Sequence, residues 1–160
     1  MAKILVALGM GGHTSQILRL VDKIDDKHEL CYLICSDDQT SKTKIRKPGT
    51  IYYMKNPRDM KDKFLGKVVL KMIPATLEAN KILSHAKPDV VLCSGPSMAI
   101  PLFWMAKLRG VKTIFLESWV RVHHKSQAGR FVSPVTNLFI VQWKSMLHQY
   151  KKAEFRGRLS

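Results

Sequence analysis

MAKILVALGMGGHTSQ, residues Met1 to Gln16, decides the fold. Ile4 to Leu8 is an apolar run without a charge, the pattern of a buried strand. Gly9, Gly11 and Gly12 follow, then His13 and Thr14. From there Ile17, Leu18, Leu20, Val21 and Ile24 recur at three- and four-residue steps, which predicts a helix. Strand, glycine turn and helix N-terminus gather free backbone N–H groups at the positive end of a helix dipole. Such a turn suits an anion or a sugar, and the glycines keep side chains out of the way. A Walker loop would need a Gly-Lys-Ser/Thr ending, which is absent. A dinucleotide fingerprint would need a third glycine where Thr14 stands, although Asp37 near the end of the next strand could bind a ribose. A tight turn alone does not require the histidine.

The chain has 160 residues, enough for one domain with a real core. No signal peptide is visible, and no apolar run reaches the eighteen or so residues that span a bilayer. Cys31, Cys35 and Cys93 fall in strand-like apolar runs at spacings that fit no zinc pattern, so they read as core thiols. The six histidines are scattered, and no metal site is expected. A formal net charge of +15 implies an anionic partner: nucleic acid, an acidic lipid surface or a phosphorylated substrate.

Further strands are predicted at Glu29 to Cys35, Ile51 to Met54, Val90 to Cys93, Val111 to Leu116 and Leu138 to Val141. Ser36 to Gly49 reads as a mobile basic loop. Met60 to Ile73 places Phe64, Leu65, Val68, Val69, Met72 and Ile73 on one helix face and Lys63, Lys67 and Lys71 on the other. This basic amphipathic helix is either packed on a sheet or laid on a lipid surface, with Lys63, Phe64, Lys67, Val68 and Lys71 as the contacts. Pro74 is expected to end it and open a second helix, Ala75 to Ala86. Helices are also predicted at about Met98 to Arg109, Gly129 to Val132 and Lys144 to Tyr150, followed by a basic tail over 151–160.

Strands alternating with helices predict right-handed βαβ units and a doubly wound, Rossmann-like parallel sheet. Ligands of such sheets bind at the carboxyl ends of the strands. Gly11, Gly12, His13, Ser94, Gly95, Glu117, Arg121 and Gln142 all map to that edge. His13 and Glu117 supply proton chemistry there, and Arg121 supplies charge. Trp119 and Trp143, at strand ends, are placed to stack on a sugar or meet a partner chain; Trp104 reads as a core or interface aromatic.

Gly11-Gly12-His13-Thr14 resembles the glycine turn of the family that contains the acceptor-side subunit of the two-subunit UDP-GlcNAc transferase of the dolichol pathway. The bacterial capsule subunits of PssD type and the N-terminal half of MurG are similar. Pro88 to Pro96, PDVVLCSGP, resembles the family's fourth-strand signature, and Glu117-Ser118-Trp119-Val120-Arg121-Val122 its Glu-Ser-x-x-Arg-Val segment. Val141-Gln142-Trp143, then Tyr150, Ala153, Phe155, Gly157 and Leu159, resemble its C-terminal patterns. Each motif is weak alone; four in the right order are specific.

The resemblance implies the N-terminal, acceptor-binding half of an inverting GT-B glycosyltransferase whose nucleotide-sugar-binding half is a separate subunit. The expected acceptor is a polyprenyl-diphosphate-linked sugar, the expected donor UDP-GlcNAc, in dolichol-type oligosaccharide or capsule-type polysaccharide synthesis, and no cofactor is implied. The eukaryotic relatives carry an N-terminal anchor, whereas this chain starts at its first strand. Peripheral attachment to the cytoplasmic face through the amphipathic helix is therefore expected. His13 is the first candidate for the base and Glu117 the second, as base or orienting group. The amides of Gly11, Gly12 and Thr14, the small turn Ser94-Gly95-Pro96, and Arg121 are the candidate acceptor-binding groups. Three other readings are a basic nucleic-acid-binding domain, an NAD(P) enzyme and a noncatalytic recruiting scaffold. No nucleic-acid module is present, and none is expected as partner.

Overall fold

The short apolar runs pair into a seven-stranded, wholly parallel sheet. A computed structural model describes residues 1–57 and 65–159, with the backbone alone for 65–71. The strands are β1 (Lys3–Ala7), β2 (Glu29–Cys35), β3 (Thr50–Met54), β4 (Val90–Cys93), β5 (Lys112–Leu116), β6 (Leu138–Val141) and β7 (Ala153–Phe155). Their order across the sheet is β3-β2-β1-β4-β5-β6-β7. The helices are α1 (Gly12–Val21), α2 (Leu65–Ala86), α3 (Ala99–Leu108) and α4 (Gln127–Val132).

Alternate side chains along each strand enter two separate cores. Leu5, Ala7, Leu33, Val91, Phe115 and Phe139 pack under α2, α3 and α4. Val6, Leu8, Ile34, Leu92 and Leu116 pack with Ile17, Leu18 and Val21 of α1. All three cysteines lie in the first core as free, buried thiols. Burial pushes Cys31 up to about 11, Cys35 up to about 12 and Cys93 higher still.

The sheet reverses direction at β1. One branch runs β1, β2, β3; the other leaves β1 through β4 toward β7. The turns after β1 and β4 therefore part at a topological switch point, where a crevice opens in this architecture.

Four expectations need correction. Pro74 does not separate two helices: α2 runs through it from Leu65 to Ala86. The proline itself is exposed, and the helix continues although the proline removes one backbone N–H from its ladder. Lys63 and Phe64, expected at a membrane, lie outside the described residues; for Lys67, Val68 and Lys71 the described backbone is helical. The loop expected to be mobile is pinned. Asp38 accepts from Thr40 and Ser41, and Ser41 reaches the carbonyl of Gly9 at 3.3 Å. Farther along, the Tyr32 hydroxyl donates to Lys47 O at 3.0 Å. The helix expected near Lys144 is a 3-10 turn, Lys144–Gln149. The basic tail contains a strand that was not expected: Ala153–Phe155 pairs with Phe139–Val141 as the edge strand, and the Leu159 N–H donates to Gln142 Oε1 at 3.0 Å.

Candidate functional site at the topological switch point

The β1 turn and the β4 turn face each other across the switch point, and the imidazole of His13 lies between them. Gly11, at φ 64°, caps α1 without a side-chain hydrogen bond, so no side chain satisfies the first amides of the helix. His13 is the second residue of that helix. Its ring lies against Gly95, whose φ of +81° excludes ordinary side chains and whose missing Cβ makes room for the ring. Pro96 closes on Gly9 from the same turn. The small residues at these two strand ends were expected to leave space for a ligand; at Gly95 that space holds His13.

His13 Nδ1 is buried without a hydrogen-bond partner. Desolvation lowers the imidazole's pKa, the charge of Glu117 opposes this, and Arg121 reinforces it. The ring is thus biased toward the neutral form, in which one nitrogen can accept a proton. Arg121 is exposed on the loop after β5.

Glu117 is not at the crevice surface, contrary to expectation. It is 0% exposed, and its carboxylate is occupied. Ser118 N–H donates to Oε1 at 2.9 Å; Ser126 donates to Oε2 from its hydroxyl at 3.0 Å and its backbone at 3.3 Å. The Tyr150 hydroxyl donates to Oε2 as well. Burial, with the hydrogen bond to Glu117 next, raises the Tyr150 hydroxyl far above its ordinary pKa, so it stays a donor. Glu117 forms no ion pair with Arg121 among the described residues. The carboxylate instead fastens the loop after β5 to α4 and to the segment before β7. It reaches His13 only through its field.

Ser94 is equally buried, and its hydroxyl accepts from Gln16 Nε2 at 3.1 Å, so it too supports the crevice from behind. Thr14 turns its hydroxyl inward to the Gly9 carbonyl and lies 2.7 Å from Ser41 Oγ, leaving only its backbone for a ligand. Of the expected binding groups, the structure brings Gly11, Gly12, Gly95 and Pro96 to the two turns beside His13, the candidate base.

Gln16 is the residue sequence reasoning missed. Its side chain is 0% exposed and ties α1 to two loops: Nε2 donates to Ser94 Oγ after β4 and to Glu117 O at 3.2 Å, while Oε1 accepts from Trp119 N, also after β5, at 3.2 Å. The available signal was a polar residue beside Ile17 on the inward face of an apolar helix. Gln142 supports the same strand end, donating to Glu117 O at 3.0 Å.

The tryptophans are not free stacking platforms. Trp143 Nε1 donates to Trp119 O at 2.6 Å, with Arg158 4.0 Å from the centre of the Trp143 ring and Arg19 5.2 Å from that of Trp119. Trp104, half exposed on α3, donates from Nε1 to Phe131 O at 3.2 Å. No group of three or more His, Cys, Asp or Glu among the described residues could hold a metal ion.

Comparison with known proteins agrees with this architecture. The family model described as "Oligosaccharide biosynthesis protein Alg14 like" matches residues 4–159. The chain is 33% identical over 171 residues to the UDP-N-acetylglucosamine transferase subunit ALG14 of Candida albicans, covering 96% of this chain and 76% of that one. It is 29% identical over 177 residues to the subunit of the same name from Homo sapiens, covering 98% and 82%. Among solved structures it resembles Acinetobacter baumannii MurG (TM-score 0.68, 18% identity, 87% of this chain and 40% of that one). It also resembles S. aureus MnaA in complex with UDP (TM-score 0.71, 15% identity, 99% and 46%). The chain thus spans less than half of each solved structure, and at these identities the likeness concerns the fold.

Proposed function

The chain belongs to the Alg14-like family of oligosaccharide biosynthesis proteins, and from that membership we propose that it is the acceptor-binding subunit of a split inverting glycosyltransferase. It is a glycosyltransferase subunit whose partner binds the nucleotide sugar. The donor is UDP-GlcNAc and the acceptor a sugar carried on a polyprenyl diphosphate, in the synthesis of lipid-linked oligosaccharide for N-glycosylation. The observation that carries this reading is the match over residues 4–159. The placement of His13 between two small-residue turns supports it.

In the reaction His13 removes the proton from the attacking sugar hydroxyl as that oxygen displaces the nucleotide from the donor sugar's anomeric carbon. Its depressed pKa keeps it ready for that proton. The Gly11, Gly12 and Thr14 amides and Arg121 hold the acceptor's diphosphate, and the Gly95-Pro96 turn bounds the sugar. Glu117 acts as a positioning residue. Through Ser126 and Tyr150 it holds the loop that carries Arg121, and its charge partly offsets the desolvation of His13.

No helix among the described residues is long and apolar enough to cross a membrane. Peripheral attachment at the cytoplasmic face is supported by exposed Ile73 and Leu77 on α2, Trp104 and Leu108 on α3, and Phe131 on α4. Lys81, Lys107 and Arg130, also exposed, lie on the same three helices. Apolar groups among cations suit the boundary of an anionic leaflet.

The test is reconstitution with the donor-binding subunit and an assay of GlcNAc transfer to a polyprenyl-diphosphate-linked GlcNAc. The pair should be active and either chain alone inactive. His13→Ala should lower kcat by roughly 10²- to 10⁴-fold. Full activity in that variant would reduce this chain to a recruiting scaffold.

A further inference from the structure

Between Val90 and Ala153 the sequence has nine lysines and arginines and a single acidic residue, Glu117. Glu117 is buried and hydrogen-bonded. The surface built by this half of the chain up to β7 therefore carries cations without carboxylates. Four of them converge. Lys125, Arg130, Lys151 and Lys152 line a pocket of about 350 Å³, with Ser133, Pro134, Gln149 and Tyr150 completing its wall. None of the four forms an ion pair among the described residues.

The pocket is anchored. Tyr150 is only 4% exposed, its ring lies 4.2 Å from that of Phe139, centre to centre, and its hydroxyl donates to Glu117. Lys125 Nζ stands 5.3 Å from the centre of the same Tyr150 ring, which orients its charge. Lys151 and Lys152 follow directly and lead into β7, whose pairing with β6 fixes their place. Arg130 lines the pocket from α4. Four like charges held around one concavity repel each other and raise the local potential, and both effects favour a bound polyanion. Arginine supplies a planar fork for phosphate oxygens, the lysines supply point charges, and Ser133 and Gln149 add neutral donors.

We propose that this pocket is a second anion site, separate from the His13 crevice, which binds a phosphoryl or diphosphoryl group. None of its lining residues belongs to the two turns around His13. The group is either the headgroup of an anionic phospholipid or a soluble phosphate compound. Binding is a property of the folded chain alone and does not depend on sugar transfer.

Calorimetric titration with inorganic pyrophosphate at constant ionic strength tests it. The full chain is used in an Arg121→Gln background, so that the crevice contributes little. That background should bind pyrophosphate saturably. Adding Lys151→Gln and Lys152→Gln should weaken binding by ~10-fold or more, as expected when charged hydrogen-bond donors are lost. Arg130→Gln alone should weaken it in the same direction, and it stands in if the lysine pair disturbs β7. The control pair Lys42→Gln and Lys44→Gln, exposed far along the sequence, carries the same net charge and should change affinity less than ~3-fold. Flotation with phosphatidylcholine vesicles, with and without phosphatidic acid, identifies the source. Acid-lipid binding that is lost in the pocket variants assigns a headgroup; pyrophosphate binding with unaltered flotation assigns a soluble phosphate. An Arg121→Gln chain that fails to bind pyrophosphate overturns the proposal. So does an equal loss from the pocket pair and the control pair.

Discussion

Replacing Gly95 by alanine tests the central placement in the crevice. A Cβ at Gly95 would stand 2.2 Å from His13 Cε1, against 3.4 Å for ordinary contact. The imidazole must retreat by about 1 Å or turn away, and misplacement on that scale costs ~10²-fold in rate. The substitution also carries backbone strain, since φ at Gly95 is +81°, which costs about 1–2 kcal/mol for a residue with a Cβ. Gly110 separates the two effects. Its φ is +71°, yet a Cβ there would meet nothing within 4 Å. Gly110→Ala should therefore lose about 1–2 kcal/mol in urea denaturation, and Gly95→Ala at least that, since its Cβ also displaces the imidazole. Only Gly95→Ala should lower transfer by the reconstituted pair, by ~10²-fold, while Gly110→Ala stays within ~2-fold. The assay is initial-rate GlcNAc transfer at saturating acceptor, with fold checked by circular dichroism. Wild-type rate in a folded Gly95→Ala chain would refute the argument, because His13 would then have no need of the place the β4 turn gives it.

Four other outcomes are expected. Tyr150→Phe removes one donor from the buried Glu117 carboxylate and should cost about 1–3 kcal/mol in chemical denaturation; an unchanged midpoint would mean that Ser118 and Ser126 suffice. Gln16→Ala breaks three hydrogen bonds behind the crevice and should cost about 3 kcal/mol, measured in the same way. His13 has a folded pKa below its ordinary 6.5, so the unfolded chain binds the proton more tightly. Its contribution favours the fold above that pH and is lost as pH falls from there through the folded value. His13→Ala should flatten that part of the stability profile, and the acid limb of kcat/KM, which reports the free enzyme, should lie below 6.5; a limb above it would count against His13 as the base. Finally, the three thiols, buried and with raised pKa values, should resist maleimide at neutral pH until the chain is unfolded.

The sequence by itself determined the layers and the crevice. Strand and helix periods are short-range signals, so Ile4 to Leu8, Leu30 to Cys35 and Val90 to Cys93 were legible as buried strands, and the glycine turn before His13 as a helix start. Their alternation implied a parallel sheet with ligand groups at one edge. Only the tertiary structure decided what each edge residue does. Glu117 and Ser94 looked like cleft groups because they stand at strand ends. They are buried because Tyr150, 33 residues beyond Glu117, and Gln16, 78 residues before Ser94, turn inward to them. Nothing within a few positions of either residue records that partner. The last strand was hidden for a related reason. Ala-Glu-Phe has no strand pattern of its own, and it becomes a strand because β6 offers an open row of backbone donors and acceptors. Pro74 stays within a helix, against its local signal as a helix start. Local pattern specifies the element, whereas burial and pairing across the chain decide which polar groups remain free for chemistry.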